Sequence, residues 1–198
     1  MQFKQAVNFI TNKLKKELSA NYIYHNIDHT NDVYYAAENL GRLEKISAAD
    51  MKLLLTAAAY HDSGFLRFNN GHEEESCRIA AEALPRYGYS EYDINLICGM
   101  IRATRVPQSP KTLLERILVD ADLDYLGRDD FFEVGDKLFN ELRLAGALGS
   151  KMDWNKMQLD FMESHSYFTK SAINLRQAKK ADNTAQIRAQ LLTNHTTK

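Results

Sequence analysis

Two of the histidines and two of the aspartates in the first two thirds of the sequence lie at the ends of predicted helices or in an apolar helical stretch. His29 lies near the start of one predicted helix, and Asp122 lies in an Asp-Ala-Asp motif. The adjacent pair His61 and Asp62 follows a run of alanine and leucine. Two imidazoles and two carboxylates suit a divalent ion such as Mn²⁺, Fe²⁺, Co²⁺, Ni²⁺ or Zn²⁺. Because such an ion lowers the pKa of bound water and polarises a phosphoryl oxygen, the predicted chemistry is hydrolysis of a phosphate ester.

Each of these segments also has a structural interpretation. His61 can be a core histidine whose hydrogen bonds are satisfied, with Asp62 capping the next turn. One acid of the Asp-Ala-Asp motif can cap the following helix while the other is solvated. Taken together, the segments favour a shared site, because burying a histidine and a carboxylate is costly unless they are paired, hydrogen-bonded or bound to a metal.

The length and composition are those of a globular protein with one large domain. The chain has 198 residues, of which 44% are hydrophobic and 26% charged. It carries 25 lysines and arginines and 26 aspartates and glutamates, for a formal net charge of −1. This balance provides no strong field to attract nucleic acid or an anionic membrane, so neither is a predicted partner.

The cysteines and the apolar segments favour a cytoplasmic protein. Cys77 and Cys98 form no Cys-x-x-Cys pair and are too few for a disulfide framework, which favours a reducing compartment. The N-terminus lacks the basic start and apolar core of a signal peptide. The longest apolar run, around residues 53–60, is far shorter than the roughly 20 residues that span a bilayer.

Apolar residues recur at helical spacing almost throughout the chain, and helix breakers are scarce, with 9 glycines and 3 prolines. Gly88 lies where one helix should end, and three helix starts carry a hydroxyl residue with an acid three positions later. The sequence therefore predicts an all-α single domain. The three starts are Ser47 with Asp50, Ser90 with Asp93, and Thr112 with Glu115. The predicted helices lie near residues 2–18, 29–44, 48–61, 72–87, 91–104, 112–126, 129–145, 154–178 with an internal break, and 182–193.

Four segments carry the histidines and acids in a characteristic order. They are Tyr-His-Asn-x-x-His-Thr at residues 24–30, Ala-Tyr-His-Asp-Ser-Gly-Phe at 59–65, His-Glu-x-x-Ser at 72–76, and Asp-Ala-Asp-Leu-x-Tyr-Leu-Gly at 120–127. This ordered set resembles the HD superfamily of metal-dependent phosphohydrolases. A lone His-Asp dipeptide is no signal, whereas the ordered set spans about half of the chain.

The resemblance implies an all-α, single-domain helical bundle of the HD type over residues 1–198. The metal site would be built from about residues 25–126. The C-terminal helices, residues 129–193, would pack on it.

The resemblance also implies one divalent ion per chain, with Mg²⁺ as a candidate beside the transition metals. Asp120 competes with Asp122 for the last ligand position, because the Asp-Ala-Asp motif offers two acids. Asp122 is preferred, since the family's ligand usually follows the small residue directly, and Asp120 would then orient a ligand or structure the turn. The positions that match the family's ligands are His29, His61, Asp62 and Asp122.

The segment that begins at His72 matches one that lies beside the metal in related proteins. There Glu73 would act as general base or hold the attacking water, and His72 would contact phosphate or protonate the leaving group. Asp62 completes the predicted catalytic residues. The alternative is a helix N-terminus that is acidic only because acids suit the helix dipole. His25, four residues before His29, is expected to support the ligand loop.

Phosphate also needs cationic partners. Arg102 and Arg105 follow a helix expected to pack near Asp122, and each can equally be an ordinary surface charge. His165 lies between two helical segments. A buried histidine at a helix junction and a residue that closes over the pocket are both open interpretations of it.

The sequence thus predicts an enzyme, a metal-dependent phosphohydrolase that uses a metal-activated water on a phosphate ester of a nucleotide or nucleotide-like small molecule. Phosphomonoesterase, pyrophosphatase and phosphodiesterase activities stay open, since one fold with shared ligands serves different substrates. The alternative is a regulatory HD module that holds a metal and a phosphorylated ligand with little turnover. Metal removal would abolish phosphate release by the enzyme but only lower the thermal stability of the module. An oligomer is compatible with either.

Overall fold

The structure is a computed structural model that describes residues 1–68 and 70–193, and every regular element in those ranges is helical. The predicted all-α fold is therefore confirmed. His195, to which the sequence assigns no role, lies outside the described residues. The long helices are α1 Phe3–Glu17, α2 Ile27–Leu43, α3 Ala48–Tyr60, α4 His72–Ala83, α5 Glu91–Ala103, α6 Leu113–Asp122, α7 Phe131–Leu144, α8 Lys151–Ser164 and α9 Lys170–Thr193. Short 3₁₀ turns cover Ser63–Leu66, Leu84–Tyr87 and Asp124–Gly127.

The chain divides into two compact units, Met1–Leu123 and Asp124–Lys198, called here the N-terminal and the C-terminal unit. The predicted ligands all belong to the N-terminal unit. The arrangement of the whole chain as one domain, with the C-terminal helices packing on the metal site, stays a prediction. Within the described residues, no helix is both long and apolar enough to cross a bilayer.

The predicted helix starts are formed by side-chain caps. The hydroxyls of Ser47, Ser90 and Thr112 each accept a backbone N–H at the third position of α3, α5 and α6. Ser90 and Thr112 complete capping boxes, because the acid three residues later accepts the N–H of the capping residue in return. Gly88 ends the 3₁₀ turn that follows α4, with a positive φ of 73° that suits glycine.

The core of the N-terminal unit is organised around α3, which is buried on all sides from Leu53 to Tyr60. A helix that is apolar around its whole circumference needs neighbours on every face. α3 contacts α1, α2, α5 and α6, while α4 packs against α5 and the turn Ser63–Leu66. The residues that follow the C-terminal end of α3, His61 and Asp62, therefore lie in the interior of the unit.

In the C-terminal unit, α9 is joined to the turn Asp124–Gly127. Arg176 donates to both carboxylate oxygens of Asp124, at 2.7 and 3.0 Å. The side-chain amide of Asn183 donates to the carbonyl of Leu126 at 3.0 Å. Gly127 approaches the backbone of α9 so closely that a Cβ there would lie 2.4 Å from the Arg176 carbonyl oxygen. These contacts give α9 a fixed position within its unit.

Three predicted helix boundaries are wrong, whereas the break predicted within residues 154–178 is present. The structure breaks the chain after Ser164, where His165 is extended, and Thr169 caps the start of α9 by accepting the N–H of Ala172 at 3.2 Å. α9 then runs without a break through residues 178–182, because that polar stretch contains no glycine or proline. The helices predicted to reach residues 87 and 126 end instead at Ala83 and Asp122.

Candidate metal centre

The start of α2 positions His29. The side chain of Asn26 accepts the backbone N–H groups of Asp28 and His29, at 2.8 and 3.3 Å. Its amide donates to the carbonyl of Ile23 at 2.8 Å, which holds the capping residue in turn. The ring of Tyr24 packs against the His29 imidazole, with centroids 4.6 Å apart. The expected role of the His-Asn segment, to support the loop before the ligand, matches these contacts.

His61 is completely buried at the end of α3. Its Nδ1 lies 2.8 Å from the carbonyl oxygen of Ala58. Because a carbonyl oxygen can only accept, Nδ1 carries the proton and the Nε2 of neutral His61 presents a lone pair. This Nε2 lies 3.4 Å from the Nε2 of His29, so the two imidazoles are directed at a common point.

Two carboxylates complete the arrangement. Asp62 Oδ2 lies 3.1 Å from His61 Nε2 and 3.4 Å from His29 Nε2. Asp122 Oδ1 lies 3.2 Å from His29 Nε2 and 3.5 Å from His61 Nε2. One donor atom each from His29, His61 and Asp122 lie within 4.8 Å of one another. These four side chains are called the His/Asp cluster.

The cluster is almost closed to solvent, and charge dominates it. Burial disfavours a charged His29, but the carboxylates of Asp122 and Asp62 outweigh burial and raise the pKa of His29 to about 9. The pKa of His61 is likewise raised, because burial, which opposes its charge, is outweighed by the combined interactions with Asp62 and Asp122. Burial opposes ionisation of Asp62 and Asp122, yet the facing histidines hold the pKa of both carboxyls below the usual range.

One atom of the cluster has no hydrogen-bond partner. Asp62 Oδ2 is buried, and within the described residues it accepts no hydrogen bond. A buried carboxylate oxygen without a partner is costly, and a cation at the point faced by both histidines would satisfy it. The donor set of two imidazoles and two carboxylates therefore fits a divalent metal ion.

The helical geometry separates the two acids of the Asp-Ala-Asp motif. Residues two positions apart on a helix project to nearly opposite sides. Asp122, in the last turn of α6, faces the histidines, whereas the group of converging donor atoms does not include Asp120, which is fully buried. The convergence therefore favours Asp122 as the fourth member.

His72 and Glu73, the first residues of α4, lie beside the cluster. His72 Nε2 is 3.5 Å from Asp62 Oδ1 and 3.9 Å from Glu73 Oε1. Glu73 is buried, and its other oxygen lies 3.8 Å from Nε of Arg105. Both residues are thus close enough to the cluster to act on a group bound there.

The turn after Asp62 is tied to α4 by residues whose role was missed in the sequence. Ser76 Oγ accepts the N–H of Gly64 at 2.8 Å and donates to the carbonyl of His61 at 2.6 Å. A Cβ on Gly64 would lie 2.0 Å from the carbonyl oxygen of His72, so only glycine allows α4 to begin there. Ser76 belongs to the His-Glu-x-x-Ser segment, four residues after His72, but its position in the sequence does not indicate its partners.

A profile of the HD domain matches residues 26–124, half of the chain. This chain belongs to the HD family. The matched segment begins at the cap of α2 and extends just past Asp122. It therefore contains all four members of the His/Asp cluster together with His72 and Glu73.

Solved structures share the fold of this HD-domain protein along nearly its whole length. A crystal structure of a predicted HD superfamily hydrolase from an uncultured Thermotogales bacterium matches with a TM-score of 0.60 at 19% identity, over 96% of this chain and 91% of that one. A crystal structure of a Lactobacillus plantarum protein matches with a TM-score of 0.68 at 16% identity, over 98% of this chain and all of that one. At these identities the likeness establishes the fold alone.

A curated relative is similar over part of its length. It is an uncharacterized protein of Clostridium beijerinckii that is 32% identical over 94 residues. The match covers 46% of the HD-domain protein and 59% of the relative, so this chain spans about three fifths of the length of that protein.

The other predicted residues lie around the HD site or outside its unit. His25 stacks on Phe65, and Phe65 stacks on His72, with ring centroids 4.4 and 4.1 Å apart. His25 is therefore part of the support for His72. His165 belongs to the C-terminal unit, where it is buried at the end of α8. This position agrees with the interpretation of His165 as a helix-junction residue.

Proposed function

We propose that this HD-domain protein is a metal-dependent phosphohydrolase that cleaves a phosphate ester of a nucleotide or nucleotide-like small molecule. The observation that carries the proposal is the convergence of the His/Asp cluster at Asp62 Oδ2, a buried carboxylate oxygen that accepts no hydrogen bond within the described residues. The family supports hydrolase chemistry, and the Thermotogales structure of similar fold is described as a predicted HD superfamily hydrolase. In the proposal a single divalent ion is held by His29, His61, Asp62 and Asp122.

A divalent ion in this position would supply Lewis acidity, which lowers the pKa of water and polarises a phosphoryl oxygen. In the proposed cleavage, the oxygen of water bonds to phosphorus as the bond from phosphorus to the leaving oxygen breaks. Glu73 takes the proton that the water loses, and His72 provides the proton that the leaving oxygen gains. The nearness of His72 to Asp62, 3.5 Å, supports this assignment.

The residues around the reacting groups orient the His72 ring and exclude bulk water. The stack of His25, Phe65 and His72 restricts rotation of the His72 ring, so its nitrogen stays directed at Asp62. The nearly complete burial of His61 and Asp62 keeps bulk water from competing with the substrate. Electrostatic interactions in such a dry site are stronger than in water.

The proposal is tested by elemental mass spectrometry and a phosphate-release screen. Wild-type protein, purified without chelator, should carry about one equivalent of a divalent metal and should hydrolyse at least one phosphate ester when loaded with that ion. The double variant His61→Ala/Asp62→Ala should carry none and release no phosphate. Asp136→Ala, which removes an exposed carboxylate of the C-terminal unit, should behave like wild type.

Two results would contradict this proposal. If wild-type protein binds no metal even after incubation with Mn²⁺, the ligand assignment is wrong. If it binds metal but releases phosphate from no ester in the screen, the chain is a metal-binding regulatory module rather than an enzyme.

A further inference from the structure

Two arginines at the end of α5 differ in how they are paired. Arg102 donates from Nε to both carboxylate oxygens of Glu74, at 2.9 and 3.0 Å. Arg105 approaches Glu73, but its Nε is 3.8 Å from the carboxylate oxygen, beyond hydrogen-bond distance. The charge of Arg105 also acts on Glu74, but within the described residues the Arg105 side chain donates no hydrogen bond. Arg105 therefore has its hydrogen-bond donors available.

A chain of contacts leads from the His/Asp cluster to Arg105. Asp62 Oδ1 lies 3.5 Å from His72 Nε2, and His72 Nε2 lies 3.9 Å from Glu73 Oε1. The other oxygen of Glu73 faces Arg105. The side chain of Asp62 is 8% exposed, that of His72 22% and that of Arg105 57%, whereas Glu73, between His72 and Arg105, is 9% exposed. A substrate whose reacting phosphate sits at the cluster can extend past His72 toward Arg105.

We infer that Arg105 binds a second phosphate of the substrate, so that the substrate class is a compound with a phosphoanhydride linkage, such as a nucleoside di- or triphosphate. The inference rests on the proposed function, since it takes the first phosphate to lie at the His/Asp cluster. A guanidinium presents a planar fork of N–H donors that matches two phosphate oxygens. A monophosphate held at the cluster would leave this fork unused.

Neutralisation of Glu73 does not by itself account for the position of Arg105. The neighbouring pair of Arg102 and Glu74 demonstrates that this end of α5 can form a close, two-oxygen ion pair with α4. Arg105 does not form one with Glu73, and its side chain remains more than half exposed. The Glu73 carboxylate is buried, but its oxygen is 3.8 Å from Arg105 Nε and makes no hydrogen bond with it, so this contact leaves the exposed Arg105 side chain able to reorient toward an anion.

The inference is tested by binding of two stable anions to protein loaded with Mn²⁺. The probes are inorganic phosphate and methylenediphosphonate, whose bridging CH₂ group prevents hydrolysis. Dissociation constants are measured by titration calorimetry, with the free Mn²⁺ concentration held the same throughout. Wild type should bind the diphosphonate more tightly than phosphate, and Arg105→Ala should reduce that preference by about tenfold or more, as the loss of a charged hydrogen bond predicts.

Arg102→Ala is the matched control, because it removes the same side chain from the same helix end. It should keep the wild-type preference, since Arg102 is already paired with Glu74. A preference that is unchanged in Arg105→Ala, or reduced equally in both variants, would overturn the inference. In the first case the diphosphonate owes its affinity to the metal alone, and in the second to the general charge of the surface.

The binding ratio is the affinity for methylenediphosphonate divided by the affinity for phosphate. Its dependence on Arg105 and the result of the phosphate-release screen are independent outcomes. If loaded protein hydrolyses a monophosphate ester but the ratio does not depend on Arg105, the substrate-class inference fails and the proposed function stands. If no ester is hydrolysed but the ratio falls in Arg105→Ala, the proposed enzyme activity fails and the second phosphate site stands.

Discussion

The two units of the chain both bury histidine, but they surround it with opposite charges. In the N-terminal unit His29 and His61 face Asp62 and Asp122, which hold the pKa of both imidazoles above the ordinary value. In the C-terminal unit His165 is next to Lys180, whose Nζ donates to the His165 carbonyl oxygen. Burial, and then the charge of Lys180, lower the pKa of His165 to about 4.

The difference separates a candidate binding site from a structural residue. Both regions hold a buried polar atom without a hydrogen-bond partner among the described residues, Asp62 Oδ2 in one and the two ring nitrogens of His165 in the other. Only around Asp62 do anionic oxygens and imidazole nitrogens converge on one point, where a divalent cation is attracted. Beside His165 the nearby charge is a cation, which repels such an ion.

The largest predicted effect is on metal affinity. Replacing Asp62 by asparagine, which preserves its shape, should lower the affinity for Mn²⁺ by more than about a hundredfold, because even a residue that only supports a ligand contributes about 10–100-fold. Titration calorimetry measures the affinity, and elemental analysis measures the bound metal. His165→Gln is the control and should bind Mn²⁺ like wild type. Equal losses of Mn²⁺ affinity in Asp62→Asn and His165→Gln would mean that the charges around the two buried sites do not determine where the ion binds.

The next effect is on the part of the pH dependence of stability that His165 contributes in the C-terminal unit. His165 has a folded pKa of about 4, below its ordinary value of 6.5, so the unfolded state takes up a proton first as the pH falls. Its contribution to stability is therefore present above pH 6.5 and is lost as the pH falls to about 4. By linkage this amounts to about 3 kcal/mol.

Urea denaturation of chelated protein between pH 7 and pH 4 measures this contribution. His165→Gln should lose less stability over that interval than wild type, because glutamine does not titrate. Asp62→Asn retains His165 and should keep the part of the pH dependence that His165→Gln removes. Parallel curves for wild type and His165→Gln would show that His165 is not held neutral by burial and Lys180.

A somewhat smaller effect is expected from metal loading. An ion that binds only the folded state stabilises it by about 2.7 kcal/mol at a hundred times its dissociation constant. Mn²⁺ should therefore raise the free energy of unfolding of wild type and His165→Gln alike, and a chelator should reverse the change. Asp62→Asn should show no such gain. A gain of wild-type size in Asp62→Asn would place the stabilising ion elsewhere in the chain.

Sequence patterns predicted the all-α fold and the side chains that converge, because both depend on local signals. Ser47, Ser90 and Thr112 marked helix starts through capping, which acts within one turn. His29 and Asp122 were found through short motifs in a characteristic order. Their roles as metal ligands stay predictions, tested by the metal measurements above.

Contacts that depend on the approach of separate elements were not predictable in the same way. The boundary predicted at residues 178–182 is wrong, because that polar stretch resembles a helix end while α9 runs through it; the break predicted within residues 154–178 is present, and Thr169 caps α9 after it. The bridge from Ser76 to Gly64 and His61 joins residues 12 and 15 positions apart. A serine inside a helix gives no local sign of such a partner.

The smallest effect on metal affinity is predicted for that bridge. Ser76→Ala leaves the buried N–H of Gly64 and the carbonyl of His61 without their shared hydroxyl, so the turn that carries His61 and Asp62 loses its tie to α4. The affinity for Mn²⁺ should fall by roughly tenfold, the lower end of what supporting residues contribute. Titration calorimetry on folded protein, well below the unfolding temperature, measures the change.

Thr56→Val is the matched control for Ser76→Ala. The Thr56 hydroxyl is also fully buried, donates to the Lys52 carbonyl at 2.7 Å and lies 2.7 Å from the hydroxyl of Tyr89. Either variant should lower the free energy of unfolding by about 1–2 kcal/mol, since each leaves a buried polar group without a partner. Only Ser76→Ala should weaken metal binding, because only its hydroxyl contacts the segment that carries the cluster. If Thr56→Val weakened metal binding equally, the loss would follow from general destabilisation of the N-terminal unit, and Ser76 would have no special relation to the site.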